Sequence, residues 1–123
     1  MAHLATELLV TLQSNVPGAV AAALEAVAKA GINLEGVTGL EGTLHVLTRD
    51  APATQRALRA AGVRVRGGNV VAVIDVADRP GAAAGLFRRI ANAGLNVDFS
   101  YMAMGNRLVI AGDDPQAIAN VLR

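Results

Sequence analysis

Cysteine is absent from this chain of 123 residues, which excludes disulfides, thiol nucleophiles and thiolate metal sites together. Tryptophan is absent too, and Phe87, Phe99 and Tyr101 are the only aromatic residues. Small aliphatics must therefore do the packing, and the many alanines imply helices lying close to what they cover. Two histidines, His3 and His45, are too few for a metal site or a catalytic base, and neither lies near a cluster of acids in the sequence. No metal and no cofactor is expected. The net charge of +1 gives no general pull toward nucleic acid, because ten acids are interleaved with scattered arginines. No apolar run of about 18 residues is free of charge or turn signals, so a membrane-spanning helix is not expected. Met1 to Glu7 lacks the basic start and apolar stretch of a signal peptide, and the expected location is cytoplasmic. What is present is a folding composition: 53% hydrophobic residues and a mean hydropathy of +0.41.

The punctuating residues repeat. Pro17-Gly18 recurs as Pro80-Gly81, Gly31 and Asn33 recur as Gly94 and Asn96, and Asp50 and Pro52 recur as Asp113 and Pro115, every pair 63 positions apart. Apolar positions keep the same offset, with Leu24 matching Phe87 and Val27 matching Ile90. Self-similarity of this kind sets the architecture before any element is assigned. The chain divides into copies spanning 1–67 and 68–123.

In the first copy, Leu8, Val10 and Leu12 alternate through Glu7 to Gln13 as in a half-buried strand. Val20, Leu24 and Val27 then fall at helical spacing over Ala19 to Ala30, with Glu25 and Lys29 as an outward i,i+4 pair and Gly31 as a left-handed stop. Leu34 to Thr38 and Thr43 to Thr48 read as two strands joined across Gly39 to Gly42. Asp50 ahead of Pro52 starts a helix over Ala53 to Ala61, and Val63 to Arg66 alternates again as a strand. The β-α-β-β-α-β order predicts an α+β fold, with an antiparallel sheet covered by two helices on one face.

The second copy runs Val70 to Val76, Ala82 to Ala93, Val97 to Ala103, Arg107 to Ala111 and Gln116 to Leu122, with Gly105-Asn106 as its hairpin turn. It lacks its last strand. The open sheet edge has two solutions: Val63 to Arg66 turns through Gly67-Gly68 to pair with Val70 to Val76, or a second subunit covers the gap.

The turns Asn15-Val16-Pro17-Gly18 and Asp78-Arg79-Pro80-Gly81 carry the functional reading. Proline near the helix start fixes φ, glycine lets a ligand approach the main chain, and the first amides have no intrahelical partner. Such a terminus attracts a carboxylate. Asn15 and Asp78 sit where an oxygen can accept from an ammonium group, and together these features suit a free α-amino acid. Asn15 and Asp78 equally suit simple helix capping, and Asn33 and Asn96 suit an unusual backbone conformation at a strand entry.

A strand, an Asn or Asp two residues before Pro-Gly, an amphipathic helix and then Ala-Gly-[Ile/Leu]-Asn form a pattern that resembles the ACT domain, a ferredoxin-like regulatory module. It occurs twice, ending in Ala30-Gly31-Ile32-Asn33 and Ala93-Gly94-Leu95-Asn96, and covers essentially the whole sequence, as in stand-alone tandem ACT proteins. The resemblance implies two ferredoxin-like units with an amino acid bound where their first-helix turns face each other. Asn15 and Asp78 match the ligand-contacting residue before Pro-Gly, and Asn33 and Asn96 match the Asn after the helix. Backbone donors would come from Gly18, Ala19, Gly81 and Ala82, beside Pro17, Arg79 and Pro80. Asp78 is acidic where Asn is common, which implies unequal sites.

The leading expectation is a non-enzymatic regulatory protein that binds an amino acid and signals to a partner enzyme or regulator, with a homodimer as the expected assembly. The alternative is an assembly module that dimerises through its open edge without a ligand. No nucleophile and base stand together, which disfavours an enzyme. Phe99 and Tyr101 share a strand face as RNA-stacking aromatics do, but Asp98, Ser100 and Met102 around them favour ordinary packing. His45, alternating with Leu44 and Val46, is expected to face water, and so is Asp75, which stands where the first copy has Leu12.

Overall fold

The computed structural model describes residues 1–12 and 16–123. Six strands and four helices follow in the order β1 (His3–Thr11), α1 (Ala19–Lys29), β2 (Gly36–Leu40), β3 (Thr43–Leu47), α2 (Ala51–Ala60), β4 (Arg64–Asp75), α3 (Ala82–Asn92), β5 (Phe99–Ala103), β6 (Arg107–Ala111) and α4 (Pro115–Leu122). They form two compact units, Thr6–Asn69 and Met1–Ala5 with Val70–Arg123.

The Thr6–Asn69 unit carries the strand order β2-β3-β1-β4. Antiparallel β1 and β3 pair Leu8 with Val46 and Val10 with Leu44, which places all four side chains on one face. That face meets Ala23 and Val27 of α1, Leu58 of α2 and Val65 of β4 in one apolar cluster. Alternation in β1 thus buries Leu8 and Val10, as the sequence predicts. Helix α1 departs in one respect. Val20 is 46% exposed and its place inside is taken by Ala23, so a small residue faces the sheet and the helix can lie close to it.

The second unit carries the order β1-β4-β6-β5, with β1 represented by its first residues. Ala72, Ile74, Leu108 and Ile110 share a face with Ile90 of α3 and with Ile118, Ala119 and Leu122 of α4. Among the described residues the last element is α4. The open edge is not filled by a turn at Gly67-Gly68, through which β4 runs unbroken. Instead Ala2, 3% exposed, joins the same cluster, and its carbonyl accepts from Arg123 Nε at 3.4 Å. The expected break between Arg66 and Val70 is absent because β4 runs unbroken through it. Gly67, at φ 142, takes a backbone angle that side chains rarely adopt. A Cβ on Gly68 would stand 3.0 Å from Thr6 Cγ2 and 3.2 Å from the Glu7 carbonyl oxygen, so glycine there permits close approach to β1.

The helix-start signals act as read, with one shift. Asp50 caps α2 by accepting from the Ala53 amide at 3.0 Å. The cap of α4 is Asp114, accepting from Ala117 at 3.0 Å, and not Asp113, the residue that matches Asp50 at the 63-residue offset. Gly112 differs between copies too. Its counterpart is Arg49, whereas a Cβ at 112 would come within 2.4 Å of the Asn96 carbonyl oxygen and 2.8 Å of Ile118 Cδ1.

Candidate functional site

The duplicated turn is duplicated in geometry. Gly18 (φ 89, ψ −6) and Gly81 (φ 85, ψ −11) are the N-cap residues of α1 and α3. In each turn the amide after the glycine closes back, Ala19 donating to the Val16 carbonyl and Ala82 to the Arg79 carbonyl, both at 3.3 Å. The glycine carbonyl then accepts the first helical bond, from Ala22 or from Gly85, at 2.9 Å in both. An added Cβ would meet nothing within 4 Å at either glycine, so the positive φ, and not crowding, fixes the residue type.

No side-chain hydrogen bond caps α3. Asp78 is exposed, and the N-cap of α3 is Gly81 with no side-chain hydrogen bond from Asp78. Asn15 lies outside the described residues. Asn33 and Asn96 again match each other: Asn33 donates to Glu35 Oε2 at 3.5 Å and Asn96 to Asp98 Oδ1 at 3.4 Å. Both follow the C-terminal end of the helix whose N-terminus carries Pro-Gly, and an 11-residue helix is about 16 Å long. Within one unit, then, the turn and the asparagine are held apart by the helix between them.

A cavity of about 610 Å³ opens in the Thr6–Asn69 unit at the first of these turns. Thr11, Leu12, Val16, Ala19, Val63 and Arg64 contribute to its wall, and Ala61 and Gly62 continue it. The sheet topology explains this company. Helix α1 starts, and α2 ends, at the same end of the sheet, so the positive terminus of one faces the cavity together with the carbonyl end of the other. The volume lies in the range of small-molecule pockets. The Thr11 hydroxyl is buried without a hydrogen-bond partner among the described residues. Arg64, exposed at the start of β4, is a cavity residue that the sequence reading missed. Alternation in Val63 to Arg66 marked it only as a solvent-facing strand residue.

In the other unit the position matching Leu12 is Asp75, whose carboxylate Oδ2 pairs with the Met1 ammonium at 3.0 Å. That ammonium holds the Asp75 carboxyl below its usual value, aided by Arg107 and His3. Asp75 is solvent-facing, as expected, with a side chain 71% exposed.

A second polar group was invisible in the sequence. Glu7 is fully buried and accepts from Asn69 Nδ2 at 3.1 Å, and His45 Nδ1 lies 2.7 Å from the same Oε2. His45 does not face water, its side chain being 17% exposed. Register supplies the reason: Leu9 stands opposite His45, so Glu7, two residues earlier on the same face, is its diagonal neighbour. Phe99 and Tyr101 stack on each other, centroids 6.3 Å apart and planes 5° apart, as packing partners. Among the described residues no group of three or more metal-ligating side chains converges, and no helix is long and apolar enough to cross a membrane.

No family model matches the chain, and no curated protein matches it. Solved structures do. The protein BT0572 from Bacteroides thetaiotaomicron superposes with a TM-score of 0.86 at 26% identity, over 98% of this chain and 88% of that one. The ligand-free regulatory subunit of aspartate kinase from Thermus thermophilus gives 0.61 at 20% identity, over 98% and 93%. Aspartokinase III of E. coli, in complex with lysine and aspartate, gives 0.63 at 17% identity, over 98% of this chain and 31% of that one. The fold is therefore shared with the regulatory subunit of aspartate kinase and with about a third of the aspartokinase III chain.

Proposed function

We infer, from a chain whose fold is two ACT units in tandem, that this protein is a regulatory, non-enzymatic module that binds a free amino acid. The observation that carries the reading is the cavity of about 610 Å³ at the Pro17-Gly18 turn. A concavity at a helix start, lined by aliphatic side chains together with the Thr11 hydroxyl and Arg64, suits a small zwitterion. The complex of aspartokinase III with lysine and aspartate supports the same class of ligand.

In this reading Asn15 and Asp78 hold the ammonium, and Pro17, Gly18 and Ala19, like Arg79, Pro80, Gly81 and Ala82, shape the turn that meets the carboxylate. Ala19 and Ala82 already donate within their turns, so the amides that follow them are the better donors. Asn33 and Asn96, remote from the turn of their own unit, act on a ligand held at the turn of a second ACT unit. Occupancy biases the protein toward one arrangement and so alters contact with a partner enzyme or regulator.

Assembly without a ligand remains a second reading because Leu40, Met102 and Met104 are 73%, 53% and 64% exposed in or beside β2 and β5, the outer strands of their units. A homodimer through these strands is compatible with either function. Calorimetric titration against the twenty amino acids separates them. Micromolar binding of at least one, with a raised melting temperature, is the expected outcome. Absence of heat and of thermal shift for all twenty leaves only the assembly reading.

A further inference from the structure

Resting on the reading that Asn33 and Asn96 act on a bound amino acid, we propose that Glu35 and Asp98 are positioning residues. Each turns the side-chain amide of the asparagine two residues before it, so that the amide oxygen faces the ligand and accepts from its ammonium group. The same pair stands in both copies: Asn33-Leu34-Glu35 recurs as Asn96-Val97-Asp98 at the offset of 63. Asn33 Nδ2 lies 3.5 Å from Glu35 Oε2, and Asn96 Nδ2 lies 3.4 Å from Asp98 Oδ1. Both asparagines are themselves exposed and so open to a ligand.

A carboxylate only accepts hydrogen bonds, whereas a carboxamide has one end that donates and one that accepts. The end of the asparagine amide that faces the carboxylate is therefore the NH2, and the carbonyl oxygen is left pointing away from it. The backbone holds the carboxylates in place. The Glu35 amide donates to the Leu47 carbonyl and the Asp98 amide to the Ala111 carbonyl, both at 2.8 Å, at the entries to β2 and β5. Glu35 is 8% exposed, and Arg49 Nε lies 3.5 Å from the same Oε2, so its charge is met within the protein and does not draw the ligand's ammonium away from Asn33. An ammonium group carries three N–H donors, so a bond to Asn15 or Asp78 leaves others for Asn33 or Asn96. The ligand's carboxylate finds no donor at the oriented asparagine and is left to the amides of the helix turn. Asp98 is exposed, where water competes for the Asn96 amide, and the orientation is less strict there.

Glu35→Gln removes the constraint, since a second carboxamide can face Asn33 with either end. Titration calorimetry of the full chain with each of the twenty amino acids, and of the variants with those that bind, reads the effect. Glu35→Gln should weaken binding about fivefold and Asn33→Ala about tenfold. Exchanging donor and acceptor tests the direction. When Asn33→Asp is combined with Glu35→Gln, the glutamine NH2 donates to position 33, whose other oxygen still faces the ammonium, and affinity should return to within about threefold of wild type. An asparagine that instead donated to the ligand's carboxylate would make this double variant bind more weakly than Asn33→Ala, because two carboxylates would then meet. Asp98→Asn, at an exposed position, repeats the first comparison without disturbing a buried group and should cost about threefold at an unchanged melting temperature. Affinity within about twofold of wild type in Glu35→Gln or, if that variant melts lower, in Asp98→Asn overturns the proposal and leaves amino-acid binding itself standing. So does a double variant weaker than Asn33→Ala. Failure of every amino acid to bind the wild-type chain overturns both.

Discussion

Glu7 sits on β1 between residues that a period-2 reading treats as a plain half-buried strand, yet its carboxylate is fully buried and serves His45 and Asn69 together. Removing an acceptor shared by two groups leaves both without it, and each buried unsatisfied polar group costs roughly 1–3 kcal/mol. Glu7→Ala is therefore expected to lower stability by at least that amount in a denaturant titration, and Glu7→Gln, which keeps one carbonyl acceptor, by less. Equal stability of Glu7→Ala and wild type would remove the structural role. Spacing gave no hint of the group, because its members are 38 and 62 residues apart and meet only through strand register.

At the scale of elements, local chemistry was legible. Gly31 and Gly94, at φ 74 and 73, end α1 and α3 as left-handed stops, and Gly105-Asn106, at φ 71 and 54, makes the hairpin turn. The caps provide a graded test. Asp50→Ala and Asp114→Ala should each lower stability by about 1 kcal/mol, whereas Asp113→Ala should be near neutral. Thermal unfolding of the three variants checks this, and a loss at Asp113 equal to that at Asp114 would contradict the assigned cap. The offset of 63 misled at this one position because Pro52 is the second residue of α2 and Pro115 the first of α4, so the cap stands one residue closer to the proline in the second copy. Strand β4 was misread for a related reason. Paired glycines usually punctuate a turn, but here Gly67 supplies an unusual φ and Gly68 the room for β1 to pass.

At the scale of the molecule, chain order and compact units do not coincide. Met1–Ala5 belongs with Val70–Arg123, and Ala2 is part of its core. Deleting residues 1–5 should therefore destabilise that unit more than any single cap variant does. Hydrogen exchange should show the loss of protection concentrated in β4 to α4, and uniform protection in the truncated chain would contradict the assignment.

Repetition, helix polarity, the stops of α1 and α3 and the left-handed glycines of the Pro-Gly turns were determined by the sequence alone, because each depends on φ, on hydrogen bonding within a few residues, or on periodicity. Tertiary structure decided which strand completes the second sheet, that Glu7 meets His45, and that Arg64 shares a cavity with the Pro17-Gly18 turn. These depend on strand register and on which helix ends meet at one end of a sheet, and such distances between residues remote in the chain are set only when the sheet closes.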